Sequence, residues 1–332
     1  MSRNDDAIEW LLESEDPSVR YWTLTDLLGK SPQSAPVRRA FAAIPNGPRV
    51  RALFAGQGAG KRRTGDSLAI ESGGFGVHPY KKWDGAHWRL VSLVELGIPA
   101  RDVQAHSAAE QVLKWLTGET HKSRIKTIDG RTRRCASQEG NALAVCSRLG
   151  LAADPRVKYL AEALVRWQWP DGGWNCDKNP RADHSSFYES LAPLWGLVEY
   201  AQVTQEERCR QAAERAAEFF LCHRLFRSDK TGRVIDSEWL KLHYPLYWHY
   251  DILQGLVILG RAGKARDPRI QEALDNIASK QYADGTWHAE GFYWKPQGKA
   301  RSQFEVVNWG RIGPNEMITL NALRVLKAGG RW

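Results

Sequence analysis

The chain has 332 residues, 42% of them apolar and 26% charged, with a formal charge of +9. These proportions are those of a folded globular protein and exclude a disordered chain. No apolar run approaches the roughly 18 residues of a membrane span, and the polar, acidic Met1–Asp6 lacks a signal-peptide core, so a cytoplasmic protein without a membrane span is expected.

In chain order, apolar residues at helical spacing predict a helix over 4–13, then helices over 17–29, 35–44, 86–97, 105–117, 139–150 and 154–169. Further helices are expected over 186–200, 204–223, 250–262, 267–281 and 315–328. Pro193 stands inside the segment 186–200 and should kink or break it. No segment of comparable length alternates with period two, so almost no sheet is expected.

Two stretches repeat. Asp154-Pro155-Arg156 opens one helix and Asp267-Pro268-Arg269 another. In both, Gln follows 14 residues after the Asp and Trp 20 after, within WQWPDGGW and KQYADGTW. The Asp suits a helix cap and the Pro the first helical position. Helices of one kind are apolar around much of their circumference, as in LAPLWGLV, and those of the other carry charged faces, as in QEERCRQAAERAAEFF. With the N-terminal helix beside the last, six of each close a ring. The expected fold is all-α, a single (α/α)6 barrel domain over residues 1–332.

Leu164, Gln168, Gly172 and Trp174 fit the pattern Leu-x3-Gln-x3-Gly-x-Trp, and Ile277, Gln281, Gly285 and Trp287 fit it with Ile for Leu. The pattern resembles the QW repeat of squalene and oxidosqualene cyclases and, more loosely, that of protein prenyltransferase β subunits. The resemblance implies an α/α barrel in which Gln caps helix ends and Trp stacks between hairpins. The DxDD motif that starts cyclisation in bacterial triterpene cyclases is absent, and the chain is shorter than those two-barrel enzymes. Squalene cyclisation is therefore not expected. Some dehydratases and isomerases of small terpenoid alcohols, which use Cys, His and Asp groups in a comparable barrel, are a further, weaker comparison.

In such a ring the loops entering the inner helices open at one end: 56–84, 117–138, 170–184, 224–249 and 282–314. Long loops on a rigid scaffold concentrate binding residues. Lys61, Arg62, Arg63, Lys81, Lys82, Lys122, Arg124, Lys126, Arg131, Arg133 and Arg134 should make this mouth a basic rim suited to an anionic small molecule. A rim of basic residues, without a recognised motif, does not suit nucleic acid. Many of the 15 tryptophans also fall there, which suits an apolar or aromatic substrate.

Polar groups cluster at the entries to the inner helices. His184, His249, Asp251, Cys176, Glu139 and Asp84 are candidate acid–base groups. Trp83, His87, Cys135, Glu189, His243, Tyr250 and Trp248 are candidate substrate contacts. Glu189 also reads as the end of a Ser186-x-x-Glu189 capping box. Cys176, Asp177 and His184 are a candidate zinc set, so the cofactor is zinc or none. The five cysteines, at 135, 146, 176, 209 and 222, are odd in number and show no CxxC, which argues against a disulfide framework. The leading expectation is a lyase or isomerase acting on an apolar or aromatic molecule with a hydroxyl or anionic group. The alternatives are a zinc-dependent transferase or hydrolase, a carbohydrate-active enzyme, and a non-catalytic binding protein. A homo-oligomer is compatible with all of them.

Overall fold

The structure is a computed structural model that describes residues 2–58, 73–298 and 302–332. It is mostly helical. The first helices are α1 (Arg3–Leu12), α2 (Pro17–Trp22, continued by a π-helical turn Thr23–Leu27), α3 (Ala35–Ala43), α4 (Pro48–Phe54), α5 (Ala86–Glu95), α6 (Val103–Thr117) and α7 (Glu119–Lys122). Then come α8 (Ser137–Arg148), α9 (Pro155–Trp167), α10 (Phe187–Thr204), α11 (Glu207–Cys222), α12 (Ile252–Arg261), α13 (Gln271–Ser279) and α14 (Glu316–Ala328). Among the described residues the sheet is confined to one hairpin, β1 (Lys126–Ile128) and β2 (Arg131–Arg133). No described helix is long and apolar enough to cross a membrane.

The Asp-Pro-Arg triplets act as caps and also as ties. The Asp154 carboxylate accepts from the Arg156 N–H at 2.8 Å, and Asp267 accepts from the Arg269 N–H at 2.9 Å. Each arginine side chain then reaches back to the preceding charged helix. Arg156 grips Glu110 of α6 at 2.9 and 2.7 Å, and Arg269 grips Glu218 of α11 at 2.5 and 3.0 Å. Planar guanidinium–carboxylate forks of this kind fix geometry as well as charge.

The Gln–Trp turns tie forward. Gln168 donates to the Gly172 carbonyl inside its own turn at 2.7 Å and to the Ala212 carbonyl of α11 at 2.8 Å. Gln281 makes the same internal bond to Gly285 at 3.1 Å and reaches Asn4 of α1 at 2.8 Å. Gly172 and Gly285 have φ of 98° and 80°, and a Cβ on either would collide with a carbonyl of the helix it faces, Arg215 or Arg3. Each tryptophan joins two helices. The Trp174 indole donates to Leu164 at 3.0 Å while its N–H donates to Ser190 Oγ at 3.0 Å; Trp287 repeats this with Ile277 at 2.8 Å and Thr319 at 2.9 Å. These bonds, rather than ring stacking between hairpins, are the tryptophans' work.

The apolar helices pack in sequence: α5 on α8, α8 on α10, α10 on α12, α12 on α14, and α14 on α2 with its π-helical turn. The Trp22 indole donates to the Glu95 carbonyl at the end of α5, at 3.0 Å. Leu143, Leu194, Leu259 and Leu320 are wholly enclosed in this core. Each such side chain contributes about 1.5–3 kcal/mol. Pro193 does not break α10, which runs unbroken from Phe187 to Thr204. The backbone at Ala192–Pro193 lies where Gly140 of α8 has no Cβ, and Gly196 lets the same two helices approach one turn later.

Candidate active site

The long loops are sewn to one another at the N-terminal end of the apolar helices. The Arg134 N–H donates to the Asn175 carbonyl at 3.1 Å, the Trp169 indole to the Thr132 carbonyl at 2.9 Å, and Arg133 Nη1 to the Ala182 carbonyl at 3.0 Å. These bonds lay the segment before α8 along the turn before α10. Cys135 and Cys176 are thereby brought together, under the first turn of α10 with Glu189. One ligand atom from each of Cys135, Cys176 and Glu189 lies within 4.8 Å of the others.

The Cys176 thiol donates to Glu189 Oε1 at 3.5 Å. Glu189 Oε2 accepts from the Ser137 N–H at 3.1 Å and from its hydroxyl at 2.8 Å. The expected capping box is therefore not formed. Ser186 makes no side-chain cap, and the Glu189 carboxylate satisfies the N-terminus of the neighbouring helix α8 instead.

Electrostatics push these groups apart. Burial raises Glu189 above the usual carboxylate range, although its bonds to Ser137 oppose the shift. A hydrogen bond from Cys176 lowers Cys135, and the same bond, with burial, raises Cys176. Tyr80 lies nearby; burial raises its phenol, and a hydrogen bond with Gln138 opposes that.

Behind this trio, Glu139 Oε1 accepts from Arg134 at 2.9 and 2.7 Å and meets His121 Nε2 at 3.0 Å. Burial alone would raise Glu139, but His121 and the Arg134 guanidinium outweigh it and hold the carboxyl below its ordinary value. Glu139 therefore anchors Arg134 rather than standing as a free base. His87 is buried beside it, 3.5 Å from the Asn141 side chain, and burial lowers it to about 3.

A small cavity of about 60 Å³ lies between the apolar helices. Ser137, Asn141, Tyr188, Trp195, Tyr247, Trp248 and His249 are among the residues that line it. His249 is sandwiched by rings, with Tyr293 at 3.5 Å and Trp248 at 3.8 Å. Burial, with Lys82 adding to it, lowers His249 to about 4, so its imidazole is neutral at physiological pH. His249 and the Glu189-bonded Ser137 thus face one space.

Other expected site residues do different work. His184 is 81% exposed and pairs with the exposed Asp183 at 3.0 Å, so it does not join Cys176. Asp177 is exposed as well. Cys176, Asp177 and His184 therefore do not converge; among the described residues the convergent metal-binding set is Cys135, Cys176 and Glu189. Asp251 is fully enclosed and caps α12 through the Gln254 N–H at 2.9 Å, while its second oxygen accepts from the His243 N–H at 3.0 Å. Tyr250 donates to the Leu225 carbonyl at 2.8 Å in the core. His243 is buried and stacked on Tyr293 at 4.4 Å. Trp83 is buried and stacked on Tyr247 at 3.8 Å. Asp84 pairs with Lys81 at 2.7 Å.

Several residues of the expected basic rim have defined partners. Arg131 and Arg133 lie over the Trp169 ring, Lys82 lies over Trp248, and Lys122 pairs with Glu119 at 3.4 Å. Lys61, Arg62 and Arg63 lie outside the described residues. Tyr80, His121 and Ser137 were not singled out by the sequence, because single residues of these types in loops carry no spacing signal.

No family model matches this chain, and no curated protein does. A solved structure of a protein from Actinoplanes aligns over 99% of this chain and 98% of its own, at 16% identity and a TM-score of 0.45. Likeness at that level carries no argument about activity.

Proposed function

We propose that the chain is a cytoplasmic (α/α)6-barrel enzyme resembling the terpene-cyclase and prenyltransferase class, and that it performs acid–base chemistry of the dehydratase, lyase or isomerase type. The observation that carries this reading is the convergence of Cys135, Cys176 and Glu189 within 4.8 Å, with Ser137, which bonds Glu189, lining a small aromatic cavity. The order of helix contacts and the docking of the last Gln–Trp turn on α1 support the closed barrel. Five unpaired cysteines suit a reducing compartment.

The substrate is an apolar or aromatic molecule with a hydroxyl group. Glu189, kept towards its protonated form, gives its proton to the departing hydroxyl. The C–O bond breaks and water leaves. The Cys135 thiolate takes a proton from the adjoining carbon, and that electron pair becomes the new double bond. Trp248, Tyr247 and Tyr188 present ring faces to the developing cation. Two titratable groups whose environments shift them in opposite directions make a workable acid and base.

The test is incubation with a panel of isoprenoid and benzylic alcohols, with loss of water or isomerisation followed by mass spectrometry. Glu189→Gln and Cys135→Ala should each lower turnover by about 10²-fold or more, with melting temperatures close to that of the parent. Turnover that survives both substitutions, or none with any alcohol, overturns the proposal.

The same convergence supports a second reading, a zinc ion held by Cys135, Cys176 and Glu189 with an open fourth position for water. Elemental analysis separates the two. Stoichiometric zinc that disappears in Cys135→Ala favours the metal; a metal-free protein indifferent to chelators favours the thiol–carboxyl pair.

A further inference from the structure

At the opposite end of the apolar helices, where α2, α5, α8, α12 and α14 finish, lies a second cavity of about 520 Å³. We propose that this cavity binds a small organic anion, a carboxylate or phosphate head on a short apolar body, at a site separate from the Cys135–Cys176–Glu189 cluster.

Five cationic side chains line it: Arg148, Arg261, Arg266, Arg324 and Lys327. Three carboxylates stand against them. Arg148 meets Glu199 at 3.2 Å, Arg261 meets Glu95 at 2.9 Å, and Arg324 meets Asp26 at 2.8 Å. Cationic charge is therefore in excess. Arg266 makes no ion pair among the described residues, and Arg261 Nη1 is enclosed without a hydrogen-bond partner. Burial lowers Arg324, and the neighbouring Arg261 adds repulsion. An enclosed, under-partnered guanidinium is costly unless an anion completes it.

Complementing helix dipoles explains part of this. Arg148, Arg261 and Lys327 stand in last turns, where cations meet the negative helix end. It does not explain Arg266, which lies in the loop after α12, nor the apolar residues that share the lining. These are Leu256, Val257, Ile270, Leu274 and Val325. A lining that combines cationic and apolar side chains fits an amphipathic anion. The volume falls within the roughly 300–1,000 Å³ of small-molecule sites. Glu95 also lines the small aromatic cavity, so the Glu95–Arg261 pair is the partition between the two chambers.

Calorimetric titration of the full chain with octanoate, octyl phosphate and octanol tests this. Either anion should bind at least about tenfold more tightly than the neutral alcohol, with an affinity that falls as salt rises. Arg266→Ala, at an exposed position that leaves the fold intact, should weaken the anion several-fold. Arg324→Gln should weaken it about tenfold or more. Cys135→Ala should leave this binding unchanged, which keeps the outcome independent of the proposed chemistry. Absence of binding at millimolar octanoate and octyl phosphate, or binding untouched by Arg266→Ala and Arg324→Gln, overturns the inference.

Discussion

Cys135 and Cys176 shift each other's ionisation in opposite directions, and that coupling has a direct chemical readout. The Cys176 hydrogen bond is the leading reason the Cys135 thiol lies below its ordinary value. Because the thiolate is the reactive form, alkylation of Cys135 follows its ionised fraction. Cys176→Ala removes the donor, so the pH profile of Cys135 alkylation should move to higher pH, read by mass spectrometry of the modified peptide. A profile that stays in place would mean that Cys176 does not lower the Cys135 thiol.

A second residue predicts a pH dependence of stability. Glu305 is almost wholly enclosed, bonded by the Tyr247 hydroxyl and by the N–H groups of Val306 and Val307. Burial raises its carboxyl to about 7. A raised folded-state value means that the folded form holds a proton the unfolded chain has released. Its contribution is complete below the unfolded value near 4.5 and is lost as pH rises through about 7. The full loss is about 3 kcal/mol. Glu305→Gln keeps the neutral shape, so its stability relative to the parent should increase between those pH values, measured by urea melts. A constant difference across that window would refute the shift.

At the scale of elements, each Gln–Trp turn should behave as a joint. Trp174 and Trp287 are nearly inaccessible, and each indole bonds a carbonyl at the end of the preceding helix. Trp174→Phe and Trp287→Phe remove that bond and leave a void, at a cost of about 2–4 kcal/mol each. Chemical denaturation checks this, and a cost under about 0.5 kcal/mol, the level of an uninvolved surface site, would remove the joint role. The helices themselves were legible because apolar spacing is local. Asp-Pro caps and Gly after a helix are local too, and the repeat made them conspicuous. The site was legible only in pieces. Cys135, Cys176 and Glu189 each stood out, but their meeting depends on Arg134 bonding Asn175 and on Gly140 fitting Pro193, contacts between residues far apart in the chain. Asp251 and Tyr250 misled for the converse reason. A dense polar loop resembles chemistry, yet buried polar groups need partners, and here capping and a backbone carbonyl supply them.

At the scale of the whole molecule, the decisive question is how the chain treats its two ends. The Gln168 turn docks on the next charged helix in sequence, but among the described residues no charged helix follows the Gln281 turn. It docks on α1, with Asn4 and the Arg3 carbonyl taking the places of Ala212 and Arg215. Ala7, Ile8 and Leu11 bury the inward face of α1 in the common core. If the ring is closed, α1 is a working member of it. Deleting residues 2–13 should then cost about 5 kcal/mol of burial and lower the melting temperature on the order of 10 °C. It should also expose amides of α13 and α14 to hydrogen exchange, although these helices are at the other end of the sequence. Gly285→Val attacks the same joint from the opposite side, through its collision with Arg3, and should open the same amides. If α1 is an appendage, the deletion will change exchange only in the segments next to it in sequence, and Gly285→Val will leave α14 protected.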